Sequence, residues 1–440
     1  MLGKNLATTV LTQIPLFILS VLTGIFSTRF LGDDAKGIYS IFQANTQLFV
    51  LIFSLGIQTG IVYFISSKKI LEEKILGISL IIIIISSLLL LSFLVILKVS
   101  NLLFYITSAE YDSFLYVVLL FVMFLFTLVS SILTSFFQAY SKFRIINQIN
   151  ILNSIINCCL FLILYITFQK NNLSQIHKLN YTLYCTTLSL FINSILWFYI
   201  FKKEFNIRPD SNFKLKNEFK TFISYSFIIF LGTLINFFNY RIDLWIVNFF
   251  CSNKQLSYYS LATNISQIII YISVTIGSVI LPFLSSKSIE ERKILFPKIS
   301  RFSFTLFFII VIIAFILSEH IIPLVYGKVF YDSIKPFKIL LIGVLFSCLT
   351  QLIATLVVAS EKNMLNIIAT SIGLLFTILL DFLLIPIYNI EGAAWATTIS
   401  YLVIFIITFF LFLKKLNYPI KNYFVMDKRD LKALTYYLKK

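Results

Sequence analysis

An all-α integral membrane fold of about twelve transmembrane helices is what this sequence predicts, on three observations. The chain is 59% hydrophobic and only 12% charged over 440 residues, about half the charged fraction of a soluble domain. Apolar runs of roughly 20 residues, the length that crosses a ~30 Å hydrocarbon slab, recur from end to end. The segments between them are short, and the Lys and Arg residues collect there.

The run at 7–30 follows Lys4 and shows no small-residue cleavage pattern, so it is expected to be the first span and not a cleavable leader. The second is expected at 38–66, and the third, 75–98, is a dense Ile and Leu run. Spans at 113–140, 146–168 and 179–201 complete a first set of six. The second set is expected at 219–249, 258–284, 301–324, 336–360, 364–388 and 391–413. This divides the chain into an N-terminal lobe, 1–213, a C-terminal lobe, 214–415, and a basic tail, 416–440. In the tail, Leu431, Leu434 and Leu438 recur at helical spacing beside Lys428, Arg429, Lys432, Lys439 and Lys440. That pattern suits a helix on an anionic membrane surface; a solvated tail fits it equally.

Charge placement sets the orientation. With the N-terminus inside, 26 Lys and Arg fall on the inner side and 9 on the outer, with Arg241 left inside a span. The positive-inside rule then puts both termini in the cytoplasm, which agrees with an even number of spans. The net charge of +17 is therefore a topology and headgroup signal and not a nucleic-acid footprint. Cys158, Cys159, Cys185, Cys251 and Cys348 sit in or beside apolar segments without metal-type spacing, so free thiols are expected, with no metal site. No Gly-rich phosphate loop is present, and His177 and His320 lie in or beside outer loops. The outer loops are too short to carry the catalytic domain of a membrane polymerase, so no catalytic residues are assigned.

A weak internal echo joins the halves. Ile38-Tyr39-Ser40-Ile41 opens the second span, and Tyr258-Tyr259-Ser260-Leu261 opens the eighth, 220 residues later. Six-helix repeats in the same orientation bind substrate near the midplane of the bilayer.

Polar residues inside the spans are the candidate site. Gln43, Gln47, Ser54 and Gln58 form a single-face stripe in the second span. Asn147, Asn150, Ser154 and Asn157 do so in the fifth, and Asn264, Gln267, Tyr271, Thr275 and Ser278 in the eighth. Lone Ser and Thr in such helices serve packing, but an amide facing lipid is costly. Three amide stripes point to a shared wet cavity, or alternatively to bonding between helices. Arg241, Asp243 and Asp381 lie inside spans, and Arg29 closes the first. A charge at helix centre costs about 2.5–3.5 kcal/mol even on the mildest scale. Arg241 and Asp243 are two residues apart and point away from each other, so each needs a partner on another helix or a ligand. Arg241 is read either as a substrate contact or as half of a structural ion pair, and Arg29 as a substrate contact or a snorkelling residue.

Several stretches resemble the bacterial polysaccharide flippase family, which includes the O-antigen and capsule flippases of the multidrug/oligosaccharidyl-lipid/polysaccharide exporter superfamily. They are Thr28-Arg29-Phe30-Leu31-Gly32 with Gly37-Ile38-Tyr39-Ser40, then Arg241-Ile242-Asp243, Tyr259-Ser260-Leu261-Ala262 and Ile280-Leu281-Pro282. Leu324-Val325-Tyr326-Gly327 with Phe330 follows. The most specific stretch runs from Leu384-Ile385-Pro386-Ile387-Tyr388 to Glu391-Gly392-Ala393-Ala394-Trp395-Ala396-Thr397. Asp33-Asp34-Ala35-Lys36 departs from the family pattern, which more often has Pro and Glu there. The resemblance implies a MATE-like arrangement of two six-helix lobes around a cationic cavity and alternating access in the bacterial inner membrane. It also implies an undecaprenyl-pyrophosphate-linked oligosaccharide as substrate. Carried over, Arg29 and Arg241 become candidates for the pyrophosphate or acidic sugars, with Gln43, Gln47, Asn264 and Gln267 lining the cavity. Asp243 and Asp381 become candidate charge partners or sites for a coupling H+ or Na+; no other cofactor is implied. A polysaccharide polymerase and a chain-length regulator are the implied protein partners. The rival readings are a cation-coupled multidrug efflux antiporter of the same superfamily and a membrane polysaccharide polymerase. A prominent arginine and few intramembrane acids lean toward an anionic substrate.

Overall fold

A computed structural model describes residues 2–103, 114–168, 173–209, 216–360, 362, 364–412, 414 and 423–424. Every regular element among them is helical: α1 Leu2–Ser54, α2 Ile57–Ser66, α3 Glu72–Val99, α4 Phe114–Ala139, α5 Phe143–Phe168, α6 Gln175–Glu204, α7 Lys216–Phe250, α8 Asn253–Ser285, α9 Ile289–Tyr326, α10 Ile334–Ala359 and α11 Met364–Ile406. A short 3₁₀ turn, Lys328–Ser333, precedes α10, and a π turn, Ile407–Phe412, ends α11. The chain forms two compact units, Met1–Phe237 and Phe238–Lys440. The expected lobe boundary at 213/214 and the expected tail helix lie outside the described residues, apart from Tyr423 and Phe424.

Ten helices among the described residues are long and apolar enough to span a membrane. Two of them are each two segments joined at one non-helical residue, Gly32 (φ 74°) in α1 and Asn389 (φ 51°, ψ −134°) in α11. The breaks fall between the expected spans 7–30 and 38–66, and between 364–388 and 391–413. Counted by segments, the fold is the multi-pass helical membrane protein that the hydropathy predicts. At Asn389 the chain folds back on itself, so that a Cβ on Gly392 would run into the carbonyl of Leu384.

The second span departs from expectation. It is not one helix over 38–66. Leu55 and Gly56 both take positive φ, 51° and 70°, which ends α1 and starts α2. The break is closely packed within unit 1: a Cβ on Gly56 would lie 2.8 Å from the backbone carbonyl of Ser226 on α7. Side chains disfavour this conformation, so Gly56→Ala meets both strain and overlap. A loss of about 1–3 kcal/mol is expected, read as a lower melting temperature of the purified protein in detergent. The break also divides the expected amide stripe, leaving Gln58 on α2, although Ser54 Oγ still donates to Gln58 Oε1 at 3.2 Å.

Within unit 1, α4 is the most enclosed helix; within unit 2, α10 is. Small residues let α10 approach its neighbours, as expected where no hydrophobic drive acts between helices. Ser273 Oγ on α8 donates to the Cys348 carbonyl at 2.9 Å, and Thr398 Oγ1 on α11 to the Ile339 carbonyl at 3.0 Å. Ser252 with Gln255, and Ser288 with Glu291, form reciprocal capping boxes that start α8 and α9. Gly327, at φ 109°, ends α9 in the expected Tyr-Gly loop. Tyr423 and Phe424 pack against Phe296, Phe304, Phe405 and Phe409, holding part of the tail onto unit 2. Lys36, counted with the outer-side charges, is buried within α1, its ammonium 5.4 Å from the ring centre of Tyr39, a cation–π contact that helps to accommodate the charge.

Candidate functional site

Unit 2 carries the intramembrane charges. Asp243 on α7 is buried; its Oδ1 accepts the Leu244 backbone N–H at 2.9 Å and its Oδ2 accepts the Tyr259 hydroxyl at 2.5 Å. Tyr259, on α8, is fully buried, and its hydroxyl lies 3.3 Å from Thr397 Oγ1 on the second segment of α11. One hydroxyl thus ties α7, α8 and α11 together. Asp381, on the first segment of α11, is also fully buried, and neither of its carboxylate oxygens has a hydrogen-bond partner among the described residues. It lies near enough to Asp243 and Tyr259 for their charges to interact. Two carboxylates in one low-dielectric region repel unless a cation or proton comes between them.

Beside Asp243 is a small cavity of mixed lining, with Tyr240, Gln267, Thr397 and Tyr401 on its polar side and Ile270, Leu340 and Val344 on its apolar side. It admits a water molecule or a bare cation and nothing larger. Gln267 Nε2 donates to the Tyr240 carbonyl at 3.4 Å, fixing α8 against α7 at the cavity edge.

Arg241 is half-buried and turned away from Asp243, and no ion pair joins them. Its Nη1 makes one long bond, 3.4 Å, to Asn264 Oδ1 on α8. Its other N–H groups bond to no protein atom among the described residues. A guanidinium has five donors in a planar fork, so most of this one is open to an oxyanion.

In unit 1, Gln43 Nε2 donates to the Tyr39 hydroxyl at 2.9 Å, and that hydroxyl lies 3.0 Å from Thr186 Oγ1 on α6. Gln47 is exposed, and its side chain makes no hydrogen bond among the described residues; Arg29 is exposed on α1. The fold therefore gathers Arg241, Asn264, Gln267, Asp243 and Asp381 in unit 2 and leaves Arg29, Gln43 and Gln47 in unit 1.

The internal echo acquires chemical content here. Tyr39 and Tyr259 occupy matching places in the repeated tetrapeptides, and each bonds a threonine, Thr186 on α6 or Thr397 on α11. What surrounds the phenol differs: an amide, Gln43, in unit 1 and a carboxylate, Asp243, in unit 2. Tyr259, Thr397, Tyr240 and Tyr401 are site residues that sequence reasoning did not select. The tetrapeptide repeat was the available signal for Tyr259, but nothing in the spacing says that its hydroxyl meets Asp243.

Comparison with known proteins follows the same outline. The sequence profile of a family described as "Polysaccharide biosynthesis protein" matches residues 2–288. The capsular polysaccharide biosynthesis protein CapF of Staphylococcus aureus is 28% identical over 286 residues, 63% of this chain and 69% of that protein. Among solved structures, the lipid II flippase MurJ in an inward closed conformation is similar in fold, with a TM-score of 0.72 at 20% identity, over 98% of this chain and 93% of that one. An inward-facing multidrug resistance transporter of the MATE family is similar as well, at 0.66 and 13% identity, over 91% and 94%.

Proposed function

This chain belongs to the polysaccharide biosynthesis protein family, and on that premise we propose that it is a flippase for lipid-linked oligosaccharide. It moves undecaprenyl-pyrophosphate-linked glycan from the cytoplasmic to the outer leaflet of the bacterial inner membrane, by alternating access and without covalent chemistry. The observation that carries the reading is Arg241: a cation within a spanning helix, held by one long bond and otherwise open.

The physical problem is to pass a charged, sugar-bearing headgroup through oil while the polyprenyl tail stays in the bilayer. Arginine suits a diphosphate because its fork donates two parallel charge-assisted bonds and never loses its proton. For a headgroup of about −2, an inside-negative potential favours outward movement by about 2.3 kcal/mol per charge per 100 mV. Asp243, Asp381, Tyr259 and Thr397 form the proposed coupling site, taking up H+ or Na+ where two buried carboxylates lie near one another and no hydrogen bond reaches Asp381 among the described residues. The cytoplasmic placement of both termini, and work alongside a polysaccharide polymerase and a chain-length regulator, belong to the same reading.

The test is sidedness. In the source strain, deletion of the gene is expected to trap lipid-linked precursor on the cytoplasmic leaflet and abolish surface polysaccharide, with both restored by the wild-type gene. Unchanged polysaccharide with new sensitivity to cationic drugs would instead establish the efflux reading.

A further inference from the structure

The amide stripe of α5 is not used by any of the chemistry above. On a helix advancing 100° per residue, Leu152, Ile155, Cys159, Ile163 and Ile166 fall on one side of α5, and all are exposed. This is a surface fit for hydrocarbon. Asn150, Ser154 and Asn157 fall on the opposite side, roughly 180° away, where Asn150 is exposed and the other two are half-buried. Further along, that same side is closed by the buried Cys158, Phe161 and Leu164. The helix therefore has two accessible surfaces, one apolar and one polar, and the polar one occupies only its first half.

Asn147, which opens the stripe, is buried and partnered, but the side chains of Asn150, Ser154 and Asn157 make no hydrogen bond among the described residues, and the neighbouring Asn153 has a buried Oδ1 with no partner among them. Amides placed for helix–helix bonding would be paired. Amides facing lipid would be costly. A wet face with a ligand role accounts for both observations.

We propose that this strip is the subsite for the sugar portion of the lipid-linked substrate and sets glycan preference; the proposal rests on the flippase reading. Two features single out a glycan. From 145 to 168, α5 carries no charged residue, so it offers a diphosphate nothing. A carboxamide presents a donor and an acceptor side by side, matching the paired roles of sugar hydroxyls. From Asn150 to Asn157 the strip runs for about 10 Å, long enough for more than one sugar ring. It also starts at the Lys142–Arg144 end of the helix, which the charge pattern puts at the cytoplasmic surface, where the headgroup enters.

The test uses the full-length protein in lipid nanodiscs with two probes, the lipid-linked glycan extracted from the deletion strain and undecaprenyl diphosphate without sugar. Wild type is expected to bind the glycosylated lipid about tenfold or more tightly. Asn150→Leu/Asn157→Leu is expected to lose that preference while binding undecaprenyl diphosphate within about twofold of wild type, a margin far below one lost hydrogen bond. Asn150→Ser/Asn157→Ser, which restores hydroxyl donors, is expected to recover part of it. If the leucine pair is not monodisperse, Asn150→Ala/Asn157→Ala carries the same expectation. Retention of the full preference by the apolar variants overturns the proposal, as does an equal loss for both probes. A wild-type protein that binds neither lipid fails differently, removing the flippase reading itself.

Discussion

Arg241→Ala protein that inserts at wild-type levels is expected to flip lipid-linked precursor at least about a hundredfold more slowly, from the loss of two charge-assisted hydrogen bonds at about 1.5–3 kcal/mol each. The side chain makes only one bond within the protein, 3.4 Å to Asn264, so its removal leaves the packing of α7 on α8 largely as it was. Arg241→Lys keeps the charge and loses the fork, and an intermediate loss of about tenfold is expected. Asn264→Ala, which removes only the guanidinium's orienting partner, is expected to cost less than either. The measurement is the rate at which a fluorescent lipid-linked glycan reaches the opposite leaflet of proteoliposomes. Transport by Arg241→Ala at the wild-type rate would end the case for this residue.

For Asp381→Asn the two readouts are expected to move in opposite directions. A fully buried carboxylate with no bond to either oxygen strains the fold, and exchanging it for a neutral amide is expected to stabilise the protein by about 1–3 kcal/mol. The same exchange removes the group that would take up a coupling cation, so flipping is expected to fall about tenfold or more and to stop responding to an imposed proton or sodium gradient, the loss of one coupled charge being worth about 2.3 kcal/mol per 100 mV. A higher melting temperature with lost gradient response identifies a functional carboxylate. A lower melting temperature with an intact response would show that Asp381 is structural. Asp243→Asn differs because its oxygens accept from Tyr259 and Leu244, so there destabilisation is expected together with loss of coupling.

Much of this was legible in the sequence because hydrocarbon is an unforgiving solvent. Every backbone group must be bonded within its own helix, so the apolar runs had to be helices and their ends could be placed closely enough to anticipate the breaks at Gly32 and Asn389. Arg241, Asp243 and Asp381 stood out for the same reason. The break at Leu55–Gly56 was not legible, because hydropathy runs on through it and the carbonyl that Gly56 packs against lies on α7, some 170 residues away in sequence. The bond from Tyr259 to Asp243 depends on the relative rotation of two helices, which periodicity within each helix does not define.

The Tyr–Thr bond that occurs once in each unit carries a lesson about inheritance. If the two units descend from one helical set, each copy of a buried contact was free to specialise. Here one phenol bonds an amide and a hydroxyl, with the Lys36 ammonium over its ring, while its counterpart bonds a carboxylate. On the proposed coupling, only the unit that holds the acid would respond to an ion gradient, and that asymmetry would give the transport cycle its direction.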